Sequence, residues 1–363
     1  MRYYLHLVVA FPDEILIEIL SRLPVKSLLQ FRCVSKSWLR LISSTNFVKL
    51  HLIQSIKNNP KIIIPTYEDT YSIDYETSCY EPKEYDFPLN DQKLIGSCNG
   101  IVCLSDKEFY MALWNPATKE YIEIPFTSVE DDLMDNEREV VVGFGYDLVA
   151  QKYKVVKSVF FYLDDEHREF EQCEVKICTV GTKEWRRIDD PPCCLTNRHM
   201  VPQVNGALHW LGGLPIAKII AFDVGKEDFR FVPWIGSVDD SNCDVTLGVL
   251  RDCLSTICYH GGQSEKPLDI WLMKEYGVKE SWTRLFSVQM PVTGIEFCSI
   301  EPLVLRDNDE LLLKSWGELY SYDTRNDKVT VYCICDIDPY SCYAAHTHVE
   351  SLVAIAPLVC TEE

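Results

Sequence analysis

The sequence predicts an α+β chain of two unlike parts, a three-helix head followed by an all-β domain with the features of a β-propeller. Apolar residues recur at helical spacing over roughly the first fifty of the 363 residues. After about residue 55, short runs rich in Val, Ile, Tyr, Phe and Trp alternate with turns of Gly, Asn, Asp and Pro, as in strands. A similar strand–turn–strand phrase returns five times in this second part, which indicates a repeat architecture.

Charge divides the chain at the same place. Residues 1–50 contain seven Lys/Arg and three Asp/Glu, which leaves 28 Lys/Arg and 52 Asp/Glu for residues 51–363. The formal net charge is therefore +4 for the head, −24 for the remainder and −20 for the whole chain. Such an acidic chain is not expected to bind nucleic acid or an anionic membrane, because both require a basic face. This asymmetry of charge predicts that the two parts bind different partners, and that the partner of the acidic part is basic. The alternative is that the acidic surface only aids solubility.

The sixteen cysteines are expected to be free thiols of an intracellular protein, cytoplasmic or nuclear. The opening MRYYLHLVVA lacks the cleavage pattern of a signal peptide, and no stretch reaches the roughly 18 apolar residues of a membrane span. The spacing of cysteine and histidine matches no zinc site, so neither a metal nor another cofactor is expected.

Prolines separate the predicted helices of the head. Pro12 opens the first helix, with Asp13 and Glu14 in the turn where the helix dipole favours acids. Pro24 ends that helix and opens the second, and Ser35 is the predicted N-cap of the third. The apolar positions are Ile15, Leu16, Ile19, Leu20, Leu23, Val25, Leu28, Leu29, Phe31, Trp38, Leu39, Leu41 and Ile42. Three short helices cannot bury all this surface by themselves, so it must face either a partner or the following domain.

The five repeated phrases each contain a strand, a polar turn and a second strand that carries an aromatic residue or Val. Aligned at the turn, they fall in steps of 64, 44, 50 and 50 residues, at Asn115, Thr179, Asp223, Met273 and Asp323. Further predicted hairpins lie between them, such as GSCNGIVCL and VNGALHWLGG. Four strands in about 50 residues are what a kelch-like propeller blade requires. A large β-sandwich or an irregular barrel is the alternative.

The stretch FPDEILIEILSRLPVKSLLQFRCVSKSWLRLI, Phe11–Ile42, closely resembles the F-box motif. Phe11 stands where the motif usually has Leu, and residues 1–10 have no counterpart in it. The resemblance implies that the head places apolar anchors in a groove of the Skp-type adaptor of a cullin-RING ubiquitin ligase. The residues implied to form or support this docking surface are Phe11, Pro12, Ile15, Leu16, Ile19, Leu23, Pro24, Leu28, Val34 and Trp38.

The second part resembles the F-box-associated interaction domain of plant proteins. The matching phrases include WNPATKEYIEIP, VVGFGYDLVAQKYKVVK and IIAFDVGKEDFRFVP, and the resemblance covers about residues 95 to 335. Within that family the chain is most similar to S-locus F-box and S-locus F-box-like proteins of rosaceous plants, some of which recognise secreted ribonucleases in self-incompatibility. The resemblance implies a substrate receptor of an SCF-type ligase, with a basic, S-ribonuclease-like protein as one candidate target.

The predicted organisation is an N-terminal extension at 1–10, an F-box at 11–50, a linker with the first strands at 51–94, an F-box-associated β domain at 95–350 and a tail at 351–363. Target binding in propellers usually maps to loops on one face, so polar insertions are the predicted target-binding segments. These insertions are Tyr67–Asp86, Ser128–Glu137 and Asp164–Gln172.

No catalytic residue is expected in this chain. GFGYD at residues 143–147 lacks the third glycine and the helix of a phosphate loop, and no G-x-S-x-G motif is present. His209 alternates with apolar neighbours, as a packed strand residue does. The sequence thus predicts a non-catalytic ligase adaptor. Two other interpretations stay open: an F-box protein that acts outside a ligase, and a propeller hydrolase or binding module with an accessory helical head.

Overall fold

The computed structural model of the chain describes residues 12–58, 60–66, 70–74, 83–85, 93–105, 110–125, 138–162, 170–182, 184–196, 201–213, 218–234, 243–259, 267–289, 300–306, 308–315, 318–333 and 345–355. The predictions made for Phe11, for Ser128–Glu137 and for most of Tyr67–Asp86 and Asp164–Gln172 fall outside these residues.

Four helices form the head: α1 Asp13–Leu20, α2 Val25–Phe31, α3 Lys36–Ile42 and α4 Thr45–Asn58. Pro12 and Pro24 occupy the N-cap positions of α1 and α2, which confirms the predicted helix starts. The predicted N-cap of α3 is also confirmed, because Ser35 Oγ accepts a hydrogen bond from Trp38 N at 3.2 Å.

The fourth helix is not predicted by the apolar pattern. α4 crosses residue 50, where the sequence places the end of the head. Two of its buried positions are polar, His51 and Ser55, so its inward face does not appear as an apolar stripe. Its start is nevertheless encoded locally, since Ser44 Oγ accepts a hydrogen bond from Phe47 N at 3.3 Å.

Twenty-four strands follow the head in the described chain, and they form six four-stranded antiparallel sheets. The first six are β1 Pro60–Pro65, β2 Thr70–Ile73, β3 Lys83–Tyr85, β4 Lys93–Cys98, β5 Ile101–Ser105 and β6 Met111–Trp114. The next six are β7 Tyr121–Ile124, β8 Arg138–Asp147, β9 Lys152–Tyr162, β10 Phe170–Thr179, β11 Trp185–Ile188 and β12 Gln203–Val204. Then come β13 Ala207–Gly212, β14 Lys218–Asp223, β15 Asp228–Val232, β16 Asp244–Leu250, β17 Cys253–Tyr259 and β18 Leu268–Met273. The last six are β19 Trp282–Val288, β20 Glu301–Leu305, β21 Glu310–Ser315, β22 Glu318–Asp323, β23 Lys328–Cys333 and β24 His346–Val349.

The sheets are the blades of a six-bladed β-propeller, which confirms the predicted fold over the sandwich and barrel alternatives. Blade one has the strand order β24-β1-β2-β3, and blades two to six are β4–β7, β8–β11, β12–β15, β16–β19 and β20–β23. The first strands of neighbouring blades contact one another around the axis, with β13 supplementing the two-residue β12. The pairing of β24 with β1, in register at Lys61 and His348, closes the ring.

The repeated phrases mark one position in five blades, the turn between the third and fourth strands. Asp223 and Asp323 end third strands, and Asn115 directly follows one. Each Oδ1 accepts a hydrogen bond from the backbone amide two residues later, at 2.9 Å for Asn115, 3.1 Å for Asp223 and 3.0 Å for Asp323. Such side-chain caps fix the turn geometry, which explains why the phrase recurs in sequence. The 64-residue step reflects the long strands of blade three, where β8, β9 and β10 have 10, 11 and 10 residues.

Apolar clusters between neighbouring blades form most of the core, and tryptophans add a hydrogen bond across two of these junctions. Trp185 in β11 donates from Nε1 to the carbonyl of Pro125, just after β7, at 2.6 Å. Trp282 in β19 donates in the same way to Pro233, just after β15, at 2.8 Å. In both cases the fourth, outermost strand of one blade is hydrogen-bonded to the end of the outermost strand of the preceding blade. These bonds connect the outer edges of neighbouring blades.

GFGYD and His209 both have the structural roles that the sequence predicts. Residues 143–147 belong to β8, and a Cβ on Gly143 would lie 2.5 Å from a ring carbon of Trp210 in the next blade. The glycine is therefore required for close packing between blades. His209 is fully buried in β13, its Nε2 lies 2.7 Å from the Tyr276 hydroxyl, and burial lowers its pKa to about 4.

A buried ionic network joins blades three and four. Lys154 Nζ lies 2.8 Å from Asp147 Oδ2, 2.8 Å from Glu227 Oε1 and 2.8 Å from the carbonyl oxygen of Val224. The Lys154 side chain is 7% exposed and that of Asp147 is 3% exposed, so water screens this pair poorly. Burial alone would raise the pKa of Asp147, but Lys154 and two backbone amides bring it below the usual value.

Replacing Lys154 with Met is expected to reduce the free energy of unfolding by about 3–5 kcal/mol, because it leaves the buried Asp147 carboxylate without its cation, whereas Glu227 keeps Arg186. The matched control is Lys152→Met, an exposed position on the same strand, where a change of at most about 0.5 kcal/mol is expected. Urea denaturation of both variants tests this, and an equal loss in the two would contradict the importance given to the network.

Candidate functional site

The head exposes an apolar face that nothing in the described chain covers. Ile15 and Ile19 of α1 are 47% and 51% exposed, Val34 before α3 is 62% exposed and Leu39 of α3 is 45% exposed. Ile15 and Ile19 stand one helical turn apart, so they share one side of α1, whereas Leu20 points into the core. We call these four residues the exposed head face. Several exposed large apolar side chains on one small helical unit are typical of a part that binds another protein.

The predicted docking residues differ in their exposure. Five are exposed: Pro12, Ile15, Ile19, Pro24 and Val34. Leu16, Leu23 and Trp38 are partly buried, and Leu28 is fully buried in the core of the head. Leu28 can thus act only by holding the helices in place. Leu39, which the resemblance does not place in the site, is also exposed.

A second face of the head packs on the propeller. The buried cluster of the head is Leu20, Val25, Leu28, Ile42 and Phe47, and it also contains Leu352 from the segment after β24. Ala117, in the turn between β6 and β7, packs against the same cluster. The apolar surface of the head thus serves both purposes left open by the sequence, because one side covers the following domain and the other stays exposed.

Hydrogen bonds fix the segment on which the head rests. Asn115 donates from Nδ2 to the carbonyl oxygens of Ser351 and Val353, at 3.2 and 2.8 Å. Ser351 Oγ donates to the carbonyl of Asn99 at 2.7 Å, and a Cβ on Gly100 would lie 2.4 Å from that Oγ. Only glycine fits this approach, and its φ of +82° also favours glycine. The segment under the head is therefore held by side-chain hydrogen bonds and by a close approach that requires glycine.

His51 connects the helices of the head to each other. Its Nε2 lies 2.9 Å from the carbonyl oxygen of Leu23, in the link between α1 and α2. Burial lowers the pKa of His51, partly offset by this hydrogen bond and by Glu350. The neutral ring donates to Leu23 and so sets the angle between α4 and the link that carries Pro24.

Strand direction defines two ends of the propeller. Turns from first to second strands and from third to fourth strands leave every blade at one end, and all other connections leave at the opposite end. The head lies at the first end, since α4 leads into β1 and Leu352 follows β24. We call the connections at that end head-side and the others head-distal. Of the predicted target-binding insertions, Ser128–Glu137 and residues 164–169 of Asp164–Gln172 belong to head-distal connections by sequence.

Acidic residues are concentrated in the head-distal connections. These connections contain 23 Asp/Glu and 4 Lys/Arg, whereas the head-side ones contain 12 and 8. The head-distal connections are residues 66–69, 86–92, 106–110, 125–137, 163–169, 189–202, 213–217, 233–243, 260–267, 289–300, 316–317 and 334–345. The head-side connections are residues 74–82, 99–100, 115–120, 148–151, 180–184, 205–206, 224–227, 251–252, 274–281, 306–309 and 324–327. By sequence, most acidic residues of the body thus belong to connections that join strand ends away from the head.

Two further observations concern only the described part of the chain. Within it, no group of three or more His, Cys, Asp or Glu side chains is placed to hold a metal ion. None of its helices combines the length and the apolar character needed to cross a bilayer.

Comparison with known families agrees with this architecture. A family model for the F-box associated beta propeller domain matches residues 44–361, and a model for the F-box domain matches residues 10–50. The chain therefore belongs to the F-box proteins that carry an F-box associated β-propeller domain. An F-box domain implies binding to a Skp-type adaptor, and the two domains together imply the general role of substrate recognition in an SCF-type ligase.

Plant relatives match over most of their length. The chain is 30% identical over 371 residues to F-box protein CPR1 of Arabidopsis thaliana, covering 94% of this chain and 88% of that protein. It is 31% identical over 344 residues to an F-box/kelch-repeat protein of the same plant, covering 87% of this chain and 88% of that protein. The recognition as a plant F-box protein is confirmed, and the narrower resemblance to S-locus proteins stays a prediction.

Proposed function

We propose that this chain is the substrate-recognition subunit of an SCF-type ubiquitin ligase, which brings one target protein to the ligase for ubiquitination and proteasomal degradation. The observation that carries the proposal is the exposed head face, which lies on a head whose other side is already packed on the propeller. Apolar side chains that stay exposed in this way are suited to fill a groove of a partner.

The mechanism proposed is proximity. The head binds the Skp-type adaptor and through it the cullin-RING core, while the propeller holds the target at a fixed distance. Because head and propeller share the cluster around Leu352, the target is presented in a restricted range of orientations. Holding two reacting groups together raises their effective concentration, so the receptor accelerates transfer without contributing a reacting group.

The burial of Cys103 and His209 in the propeller supports a non-catalytic role. Burial raises the pKa of Cys103 to about 12 and lowers that of His209 to about 4. Both residues are fully buried in strands, where a substrate has no access. These environments are those of packed core residues, which supports a binding module over the hydrolase alternative.

The charge distribution supports a basic target at the head-distal end. The acidic connections there produce a field that would attract a cationic protein and speed its association. The adaptor-binding head, which is +4 by sequence, lies at the other end, so the two partners would not compete. An S-ribonuclease-like protein is the finer candidate, and it would make this chain a pollen factor of self-incompatibility or a paralogue of one.

The double substitution Ile15→Asp and Ile19→Asp is expected to weaken binding of the Skp-type adaptor at least about 100-fold, because it places two charges in the apolar contact. The residues are about half exposed, so the fold should not change. Binding to immobilised adaptor, with circular dichroism as a check on folding, measures this. Point variants are preferable to removal of residues 1–50, which would cut inside α4.

The matched control is Ile53→Asp, which makes the same change at an exposed position of α4, 64% exposed and outside the predicted docking set. It should bind the adaptor as the wild type does. If the wild type captures no adaptor, or if the double variant binds normally, the ligase assignment is wrong and action outside a ligase becomes the better account.

Retention of an S-ribonuclease on the immobilised full chain is expected at about 0.05 M salt and should be lost at about 0.5 M, because salt screens exposed charges. Neutralising Glu130, Asp131 and Asp132 together should weaken retention. Neutralising the head-side residues Asp252, Glu275 and Glu280 should not. Absence of binding, or equal effects of both variants, would exclude this target class and leave the result for the adaptor unaffected.

A further inference from the structure

A channel runs along the propeller axis and opens at the head-side end. It has two compartments that share Ser97, Asn99, Val249, Leu303 and Thr347 as walls. The mouth, beside α4, has a volume of about 680 Å³, and the inner compartment has about 340 Å³. These volumes far exceed one water molecule and fall within the range of small-molecule sites.

Positive side chains surround the mouth. Lys57 of α4, Arg251 and Arg306 line it, and Asp252 is the one carboxylate among its described lining residues. Arg306 forms an ion pair with Glu310 at 2.6 Å. Lys57 has no ion-pair partner within the described residues, so a ligand with negative charge would supply one.

Arg251 and Arg325 share a single carboxylate. Arg251 Nη2 lies 3.1 Å from Asp309 Oδ1, and Arg325 Nη2 lies 3.4 Å from Asp309 Oδ2. Only Arg251 also lines the mouth. The shared partner gives the chain a matched pair of arginines for a test.

A buried histidine forms part of the wall of the mouth. His348 is 2% exposed, and its Nδ1 lies 2.9 Å from Ser97 Oγ. Its Nε2 has no hydrogen-bond partner among the described residues. Burial lowers the pKa of this ring to about 3, so it is neutral at physiological pH. A buried polar atom without a partner calls for an explanation, of which a bound water or ion is one.

The inner compartment differs in chemistry from the mouth. Pro202, Leu247, Pro302 and Leu303 give it apolar walls. Glu301 also lines this compartment and contributes a carboxylate. The residue is 5% exposed and begins β20, at the head-distal end of that strand. Cations at the mouth and a carboxylate inside would orient a ligand with its negative group outward, since a second negative group near Glu301 would be repelled.

We propose that the channel binds a small organic anion, with its carboxylate or phosphate at Lys57, Arg251 and His348 and its apolar body in the inner compartment. Lys57 belongs to the head and Arg251 to blade five, so the bound anion would bridge the two parts of the chain. This site is separate from the exposed head face and does not depend on the role proposed for it.

The probe for the test is 8-anilinonaphthalene-1-sulfonate, an apolar anion whose fluorescence rises on binding, titrated into the full chain. Arg251→Ala and Lys57→Glu are each expected to weaken its binding about tenfold, as loss of a charge-assisted contact implies. The controls are Arg325→Ala, which also loses the Asp309 pair, and Lys49→Glu, an exposed position on α4. Both should bind within about twofold of the wild type.

A neutral analogue, N-phenyl-1-naphthylamine, separates charge from apolar affinity and should bind the wild type about tenfold more weakly than the anion. The proposal is overturned if the control variants lose as much affinity as the channel variants. It is also overturned if no variant differs from the wild type, or if the neutral analogue binds as well as the anion.

Discussion

The pairing of β24 with β1 is the constraint on which the rest of the structure depends. It places the first and last strands of the described propeller in one sheet, so the ring closes only when all 24 described strands have formed. It also positions the head, because α4 leads directly into β1 and the segment after β24 carries Leu352 into the head core. Lys61 in β1 and Glu350 after β24 form an ion pair across this closure.

The β24–β1 pairing both closes the ring and positions the head. The head is therefore always at the same end of the propeller. The basic head and its apolar face lie at one end, and the connections that carry most of the acidic residues leave the other end. A receptor that must hold an adaptor and a target at once benefits from such separation, since neither partner shields the other. The axial channel opens between α4 and the blades, where a ligand could influence how firmly the two parts are joined.

Much of the propeller could be predicted because its turns have local side-chain signals. Asn115, Asp223 and Asp323 cap backbone amides within three residues, so the same turn recurs wherever that chemistry recurs. The number of blades could not be predicted in this way. Blade one is built from both ends of the chain, and it lacks the repeated phrase.

The head shows the same division between local and long-range information. Pro12, Pro24 and Ser35 act within one helical turn, and the helix starts follow from them. Which apolar residues remain exposed depends on the packing of the head against Leu352, which lies more than 300 residues later in the chain. The resemblance gives Leu28 as a residue that forms or supports the docking surface, and its full burial makes it a supporting one. The apolar pattern does not predict α4, because His51 and Ser55 occupy buried positions where that pattern requires apolar residues.

Hydrogen–deuterium exchange of the full chain, with and without the Skp-type adaptor, tests most directly whether the molecule has two separate binding ends. Slower exchange is predicted for α1 and for the start of α3 on adaptor binding, with no change in the strand ends that carry the head-distal connections. Protection at those distal strand ends, or none in α1, would contradict the account, because the adaptor would then bind elsewhere or not at all.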